Sequence, residues 1–225
     1  MIETTEAPRA RARIDTIHDA IRSRICLLDY HPGQKLSETE LAAEFGISRT
    51  PLRRVLARLE DEGLLDSRQG VGTFVTDVDY NELAQVYKLR KELVLLQTSL
   101  DVVPPGPALI AKVRGLLARA EALQSAPSAK AFAQLDHDMF LTLLELTANQ
   151  PLRAMSERLY FRSTRIWLLQ VTASQIDLMQ ELHIYAREVT DILGALEAGD
   201  LDAVGHIRRG HISLSFSRMR RPEGA

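Results

Sequence analysis

The residues best suited to chemistry in this sequence are the arginines of the stretch Ser48-Arg49-Thr50-Pro51-Leu52-Arg53-Arg54-Val55-Leu56-Ala57-Arg58-Leu59. On a helical wheel, Leu52, Val55, Leu56 and Leu59 fall on one side. Arg49, Arg53, Arg54 and Arg58, with Thr50, take the other, and no acid joins them before Glu60. A guanidinium fork matches a phosphate, or the acceptor pair on the major-groove edge of guanine. A helix with one apolar and one arginine face is therefore shaped to enter a DNA major groove. The plainer reading is a solvated helix face, which ordinarily mixes arginine with Lys and Glu. Shortly downstream, Arg68, Gln69 and Thr73 surround Gly70 and Gly72. The glycines permit positive φ and close backbone approach, and the side chains are sized to reach a phosphate or the minor groove. An ordinary hairpin turn is the alternative.

A second set consists of Arg90, Asp136 and His211, each lying within an apolar stripe. Arg90 stands among Leu83, Val86, Tyr87, Leu93 and Val94, and Asp136 among Phe132, Ala133, Met139, Phe140 and Leu143. His211 stands with Val204, Ile207 and Leu214. A charged group on a core-facing stripe must be paired, ligated or neutralised. Two readings follow: a structural Arg90–Asp136 pair beside a hydrogen-bonded core histidine, or a polar cluster lining a small-molecule cavity inside a helical bundle. Arg162, Arg165 and Trp167 suit either that cavity or an outward amphipathic face. The single cysteine, Cys26, stands beside Ile25 and Leu27 and reads as a buried structural thiol.

The elements that position these residues fall into two kinds. A helix is expected over 10–28, from Ile14, Ile17, Ile21, Ile25 and Leu28. His31-Pro32-Gly33 breaks the chain. Ser37, with Glu40 three residues on, forms a capping-box signature for a short helix ending near Phe45-Gly46. Ser48 is expected to cap the arginine helix, with Pro51 in its first turn and Gly63 past its end. Two short β segments, near 64–67 and 73–76, make a hairpin. Helix, helix, turn, helix and β-hairpin is the order of a winged helix-turn-helix. A short link, Val75 to Asp79, follows. Helical stripes then recur over 80–102, 107–124, 128–147, 151–172, 176–198 and 200–219, with no strand pattern. The expected fold is mainly α: a DNA-binding domain of three helices and a wing over 1–77, then an all-α antiparallel bundle of six or seven helices over 78–225.

Composition is permissive. The 225 residues carry a formal net charge of −2, with 45% hydrophobic and 26% charged residues, an ordinary globular balance. Bulk charge does not mark a nucleic-acid binder, so the placement of the arginines must carry that argument. No apolar run approaches the roughly 18 residues of a membrane span, and the first residues hold no signal-peptide core. A lone cysteine forms no internal disulfide. A cytoplasmic protein with no membrane partner is expected.

The stretch PGQKLSETELAAEFGISRTPLRRVLARLEDEGLLDSRQGVGTFV closely resembles the winged helix of the GntR family of bacterial regulators, over residues 10 to 76. The resemblance implies DNA contacts from Arg49 and Arg53, from the adjacent hydroxyls of Ser48 and Thr50, and from the wing. Val71 stands where many members carry a wing arginine. The helical half is similar, more loosely, to the FCD branch of that family, through VYKLRKEL, LDHDMFLTLLELTANQPL and ALEAGDLDAVGHIRRGHI. That branch implies a homodimer, an effector cavity and, in many members, a divalent metal held by an Asp and three His. Here Asp136 and His211 match two ligand positions, while Phe140 and Val189 stand at the other two. Two ligands hold a first-row metal weakly, so no cofactor and no tight divalent metal are expected. Arg90, Asp136, Phe140, Val189 and His211 are expected to line a more apolar cavity for a small, anionic effector, a carboxylate with an apolar body.

The function expected is a transcription regulator, of repressor sign by family habit. It would bind double-stranded DNA as a dimer at a near-palindromic operator, under effector control. Two rivals remain: an effector-independent DNA-binding dimer, and a metal-dependent enzyme using Asp136 and His211.

Overall fold

The computed structural model describes residues 6–77, 79–173 and 176–219. Val78, in the middle of the expected link, lies outside them. The chain divides into two compact units, Met1–Val78 and Asp79–Ala225.

The first unit opens with α1, Glu6–Cys26, which buries Ile17, Ile21 and Ile25. Its His18 is fully buried and reaches Glu62 through Nε2 at 2.8 Å, fixing α1 against the end of the arginine helix. α2 spans Glu38–Glu44, and the Ser37 hydroxyl accepts from the Glu40 N–H at 3.3 Å. Arg13 of α1 donates to the Phe45 and Gly46 carbonyls at 3.1 and 2.9 Å, satisfying acceptors that the end of α2 leaves open. α3 spans Arg49–Asp61 and buries Leu52, Val55, Leu56 and Leu59. It stops at Gly63, whose φ of +77° suits glycine. Ser48 occupies the N-cap position, but its side chain makes no capping bond, contrary to expectation.

The wing holds one strand more than the sequence suggested. β1 (Lys35–Leu36), β2 (Leu65–Arg68) and β3 (Gly72–Val75) form an antiparallel sheet in the order β1-β3-β2. Lys35 pairs with Phe74, and Arg68 with Gly72. A Cβ on Gly72 would lie 2.6 Å from the Cε of the flexible Lys35 side chain, and the φ of +136° is what favours glycine there.

The second unit consists, among the described residues, of six helices: α4 (Tyr80–Gln97), α5 (Pro107–Ser125), α6 (Ala129–Leu144), α7 (Gln150–Thr172), α8 (Leu178–Ala198) and α9 (Leu201–Met219). Asp79, Ser128, Asn149 and Asp177 cap four of them by accepting backbone N–H bonds, and Gly199 ends α8 in the left-handed region. α4 and α6 stop earlier than expected. The chain after each runs into a β-bridge between Val102 and Thr147, and the Thr147 hydroxyl donates to the Leu100 carbonyl at 2.7 Å. α9 packs against both α4 and α8. The crossing with α4 is close at Gly205, where a Cβ would lie 2.5 Å from the Thr98 Oγ1. That approach brings Arg208, one turn on, toward Arg90 of α4.

Candidate functional site

In the first unit Arg49, Arg53, Arg54 and Arg58 are all exposed, as are Ser48 and Thr50. The bundle face of α3 is apolar, so the arginines have only the outer face to occupy. Besides Glu62, which lies 3.4 Å from Arg58 Nε at the C-cap of α3, their acidic neighbours come from other elements, which the sequence did not reveal. Arg53 Nε donates to Glu38 of α2 at 2.9 Å, Arg58 Nη1 to Asp15 of α1 at 2.9 Å, and Arg49 Nη2 to the Thr39 hydroxyl at 2.9 Å. These are exposed contacts of the kind worth about 0–1 kcal/mol each, easily exchanged for phosphates. The uncapped Ser48 hydroxyl is likewise free of the backbone.

On the wing, Arg68, Gln69 and Gly70 are exposed and Gly72 is partly so. Gly70 and Gly72 have φ of +72° and +136°. Thr73 does not reach outward. It is buried, with its hydroxyl 3.3 Å from that of Ser67, because strand alternation places it on the Val75 face. Lys35 was missed. Its ammonium and the Arg68 guanidinium lie 6.0 and 4.8 Å from the ring centroid of Phe74, so two cations share one aromatic platform. Arg68 is paired with Asp66. Lys35 is exposed, with no acidic partner among the described residues.

In the second unit a small cavity of roughly 70 Å³, partly open to solvent, lies between α4, α6, α7, α8 and α9. Arg90, Asp136 and His211 all border it, as does Trp167. The expected Arg90–Asp136 pair is not made. Asp136 Oδ1 accepts from Arg208 at 2.9 Å and its Oδ2 from the Tyr160 hydroxyl at 2.9 Å. Arg208 also donates to Glu188 Oε1 at 2.6 Å, and His211 Nδ1 lies 3.4 Å from Glu188 Oε2. Burial pushes the Asp136 carboxyl up, but the Arg208 guanidinium, Arg90 and the Tyr160 hydroxyl together outweigh it, and the net is below the ordinary value of 3.8. Burial raises the Tyr160 and Tyr185 hydroxyls well above their ordinary range, so both stay protonated donors. Arg90 instead donates to the Ser163 hydroxyl at 2.9 Å and stacks over Tyr87 and Tyr160, 5.1 and 5.3 Å from the ring centroids.

Val189 does not line the cavity: it is fully buried in the core, while its neighbour Glu188 faces the cavity. Successive helical residues point about 100° apart, so only one of the two can do so. Phe140 stacks on Tyr160 at 4.1 Å and borders a smaller chamber on the far side of Arg90 and Arg208. Arg162 pairs with Glu82, and Arg165 is buried away from the cavity wall. The expected stripe of α9 is out of phase: Leu214 is 57% exposed, and the buried face holds Val204, Arg208 and Ile212. Sequence reasoning missed Arg208, Glu188, Glu181 and Arg218. The available signal was Glu181, Tyr185, Glu188 and Ile192, which share one helical face of α8.

The residues present do not suit a divalent metal. Phe140 and Val189 offer no donor, and the Arg208 cation already holds the carboxylates of Asp136 and Glu188. Among the described residues no three His, Cys, Asp or Glu side chains are arranged to hold a metal ion.

The family model for bacterial regulatory proteins of the gntR family matches residues 13–75, and that for the FCD domain matches residues 85–214. The Nta operon transcriptional regulator of Aminobacter aminovorans is 32% identical over 163 residues, covering 70% of this chain and 75% of that protein. The chain belongs to the GntR family. It is a GntR transcription regulator with an FCD effector-binding domain, and family and relatives are regulators rather than enzymes, so the metal-dependent enzyme reading falls. A second relative, the histidine utilization repressor of Klebsiella aerogenes, is 39% identical over 82 residues, covering 36% of this chain and 34% of that protein. The chain spans less than half the length of several other curated helix-turn-helix relatives. Among solved structures, E. coli McbR/YncC superposes with a TM-score of 0.80 at 21% identity, over 92% of this chain and 96% of that one, which shows the shared fold. Among the described residues no helix is long and apolar enough to cross a membrane.

Proposed function

We propose that this GntR regulator is a cytoplasmic repressor that binds a near-palindromic operator as a homodimer and is controlled by a small carboxylate. The observation that carries the DNA reading is the arginine face of α3, exposed and held only by weak contacts. Arg49 and Arg53, with Ser48 and Thr50, read base edges. Arg54, Arg58 and the wing residues Lys35, Arg68, Gln69, Gly70 and Gly72 hold the phosphate backbone. The repressor sign follows family habit and the named repressor among the relatives.

Effector control rests on Arg90, which borders the cavity without a carboxylate partner among the described residues and is free to fork onto a carboxylate. Arg208 supplies a fixed cation in the same cavity, so the protein works without a bound metal. Coupling between cavity and operator of about 1–3 kcal/mol, or 5–150-fold in affinity, is the ordinary scale for such control.

The test is selection of sheared genomic DNA on the purified protein in about 0.1 M salt, low enough to keep phosphate contacts strong, followed by sequencing. A short inverted repeat upstream of metabolic genes is the expected result. Enrichment of sites lacking two-fold symmetry would overturn the dimer–operator reading. No enrichment with either the free or the metabolite-treated protein would overturn DNA recognition by α3.

A further inference from the structure

The charges around the cavity are not balanced in place. Arg90, Arg208 and Arg218 border it, and so do Asp136, Glu181 and Glu188. Glu181 is satisfied: Arg218 Nη2 and the Trp167 indole N–H each donate to its Oε2 at 3.1 Å. Asp136 and Glu188, however, share the single guanidinium of Arg208. Two carboxylates on one cation leave a local excess of one negative charge. Arg90 has the opposite arrangement: its direct contacts are a hydroxyl and two aromatic rings, and Asp136 feels its charge only at a distance. Tyr160 joins the two, since its ring lies beneath Arg90 while its hydroxyl donates to Asp136. A guanidinium with no carboxylate in contact and a pair of carboxylates sharing one guanidinium therefore flank one tyrosine on the wall of one cavity.

We propose that the effector is a compact zwitterion, an α-amino acid or close analogue with an apolar or aromatic side chain, its carboxylate on Arg90 and its ammonium on Asp136 and Glu188. This rests on the reading of the cavity as the effector site and narrows the carboxylate to an amino carboxylate. Phe132 provides the apolar wall for the side chain, with Trp167 and Tyr185 packed on it at centroid distances of 4.5 and 4.8 Å. Tyrosine faces near the carboxylates also favour an ammonium. A plain carboxylate satisfies Arg90 but adds a like charge beside Asp136 and Glu188, and a plain amine meets Arg90 and Arg208. Each counterpart also leaves one charge of the cavity desolvated and unpaired, a mismatch that ordinarily lowers affinity by roughly tenfold or more.

The experiment compares three matched probe sets on the full chain, read by thermal shift and by quenching of Trp167, the only tryptophan. The sets are leucine, phenylalanine and tryptophan; the deaminated acids isocaproate, phenylpropanoate and indolepropanoate; and the amines isoamylamine, phenethylamine and tryptamine. At least one amino acid is expected to bind saturably, roughly tenfold or more tighter than both its counterparts. Arg90→Gln should abolish that advantage over the amine, and Asp136→Asn that over the acid. Acids binding as well as the amino acids would overturn the zwitterion and leave the carboxylate reading standing. Amines binding best, or no set binding while operator DNA is still bound, would overturn the proposal without touching the DNA reading.

Discussion

Replacing Arg208 by Ala tests the reasoning about the cavity most directly. Arg208 is 6% exposed and donates to Glu188 and Asp136 at 2.6 and 2.9 Å. Its removal deletes two charge-assisted bonds and leaves two carboxylates facing each other with no cation between them. Glu188, whose side chain is 4% exposed, bears most of that penalty. Asp136, at 24%, is partly relieved by water and keeps its bond from Tyr160. Breaking a buried pair by removing one partner ordinarily costs about 3–5 kcal/mol, and the exposure of Asp136 places the expected loss near about 3. Arg208→Met with Glu188→Gln removes the uncompensated charge together with the cation. It should be less destabilising than Arg208→Ala alone, by about 1 kcal/mol or more. Urea unfolding followed by Trp167 fluorescence measures both, since the sole tryptophan lies in the helical unit on the cavity wall. The pH dependence has a definite sign. In the native protein Asp136 lies below its ordinary 3.8, so the unfolded chain binds the proton more readily. The stability from this group is present above about pH 4 and is lost as pH falls through the native value. Without Arg208 only Arg90 and the Tyr160 hydroxyl still oppose the burial of Asp136, so its carboxyl rises from the native value. The gap between native and variant should therefore narrow as pH falls from 7 toward 4. A loss below about 1 kcal/mol at pH 7, or a gap independent of pH, would refute the claim that Arg208 is the cavity's built-in counterion.

Three further outcomes are expected. Arg49→Ala and Arg53→Ala should each weaken specific operator binding by about 1–3 kcal/mol, measured by fluorescence anisotropy against a scrambled duplex; losses under about 0.3 kcal/mol in both would remove them from the base-reading set. Lys35→Gln should lower affinity alike for operator and scrambled DNA and reduce the salt slope by about 1; an unchanged slope would show that the lysine does not touch phosphate. After dialysis, mass spectrometry should find far less than one Zn, Ni or Mn per chain, and a near-stoichiometric metal would contradict the account of Asp136, Glu188 and Arg208.

The DNA-binding unit was legible because its signals are local. The Ser37–Glu40 cap, the position of Pro51, the stop at Gly63 and the apolar face of α3 are each set within one or two turns of chain. What escaped depended on distant partners. β1 is two residues long, and its register is set by β3, nearly forty residues on. Glu38 on Arg53 comes from α2 and Asp15 on Arg58 from α1, while only Glu62 on Arg58 is local. Two errors were local: Ser48 makes no capping bond, and the alternation of Thr73 with Val75 placed it on the buried face.

The cavity shows a different limit. A reading by hydrophobic periodicity assigns charge to the outside unless an apolar stripe surrounds it. It therefore found Arg90 and Asp136, which have such stripes, reached His211 through a stripe that is out of phase, and lost Arg208, whose burial shifts the inward face of α9 away from the expected one. What makes Arg208 an interior residue is not its helix but two carboxylates on α6 and α8, 72 and 20 residues away in the chain. In a low-dielectric interior each member of that trio is tolerable only with the others present, so none announces itself alone. The same interdependence makes the site specific: a group held inside only by opposite charge leaves any imbalance unscreened, and a ligand is selected by the charges it brings to cancel it.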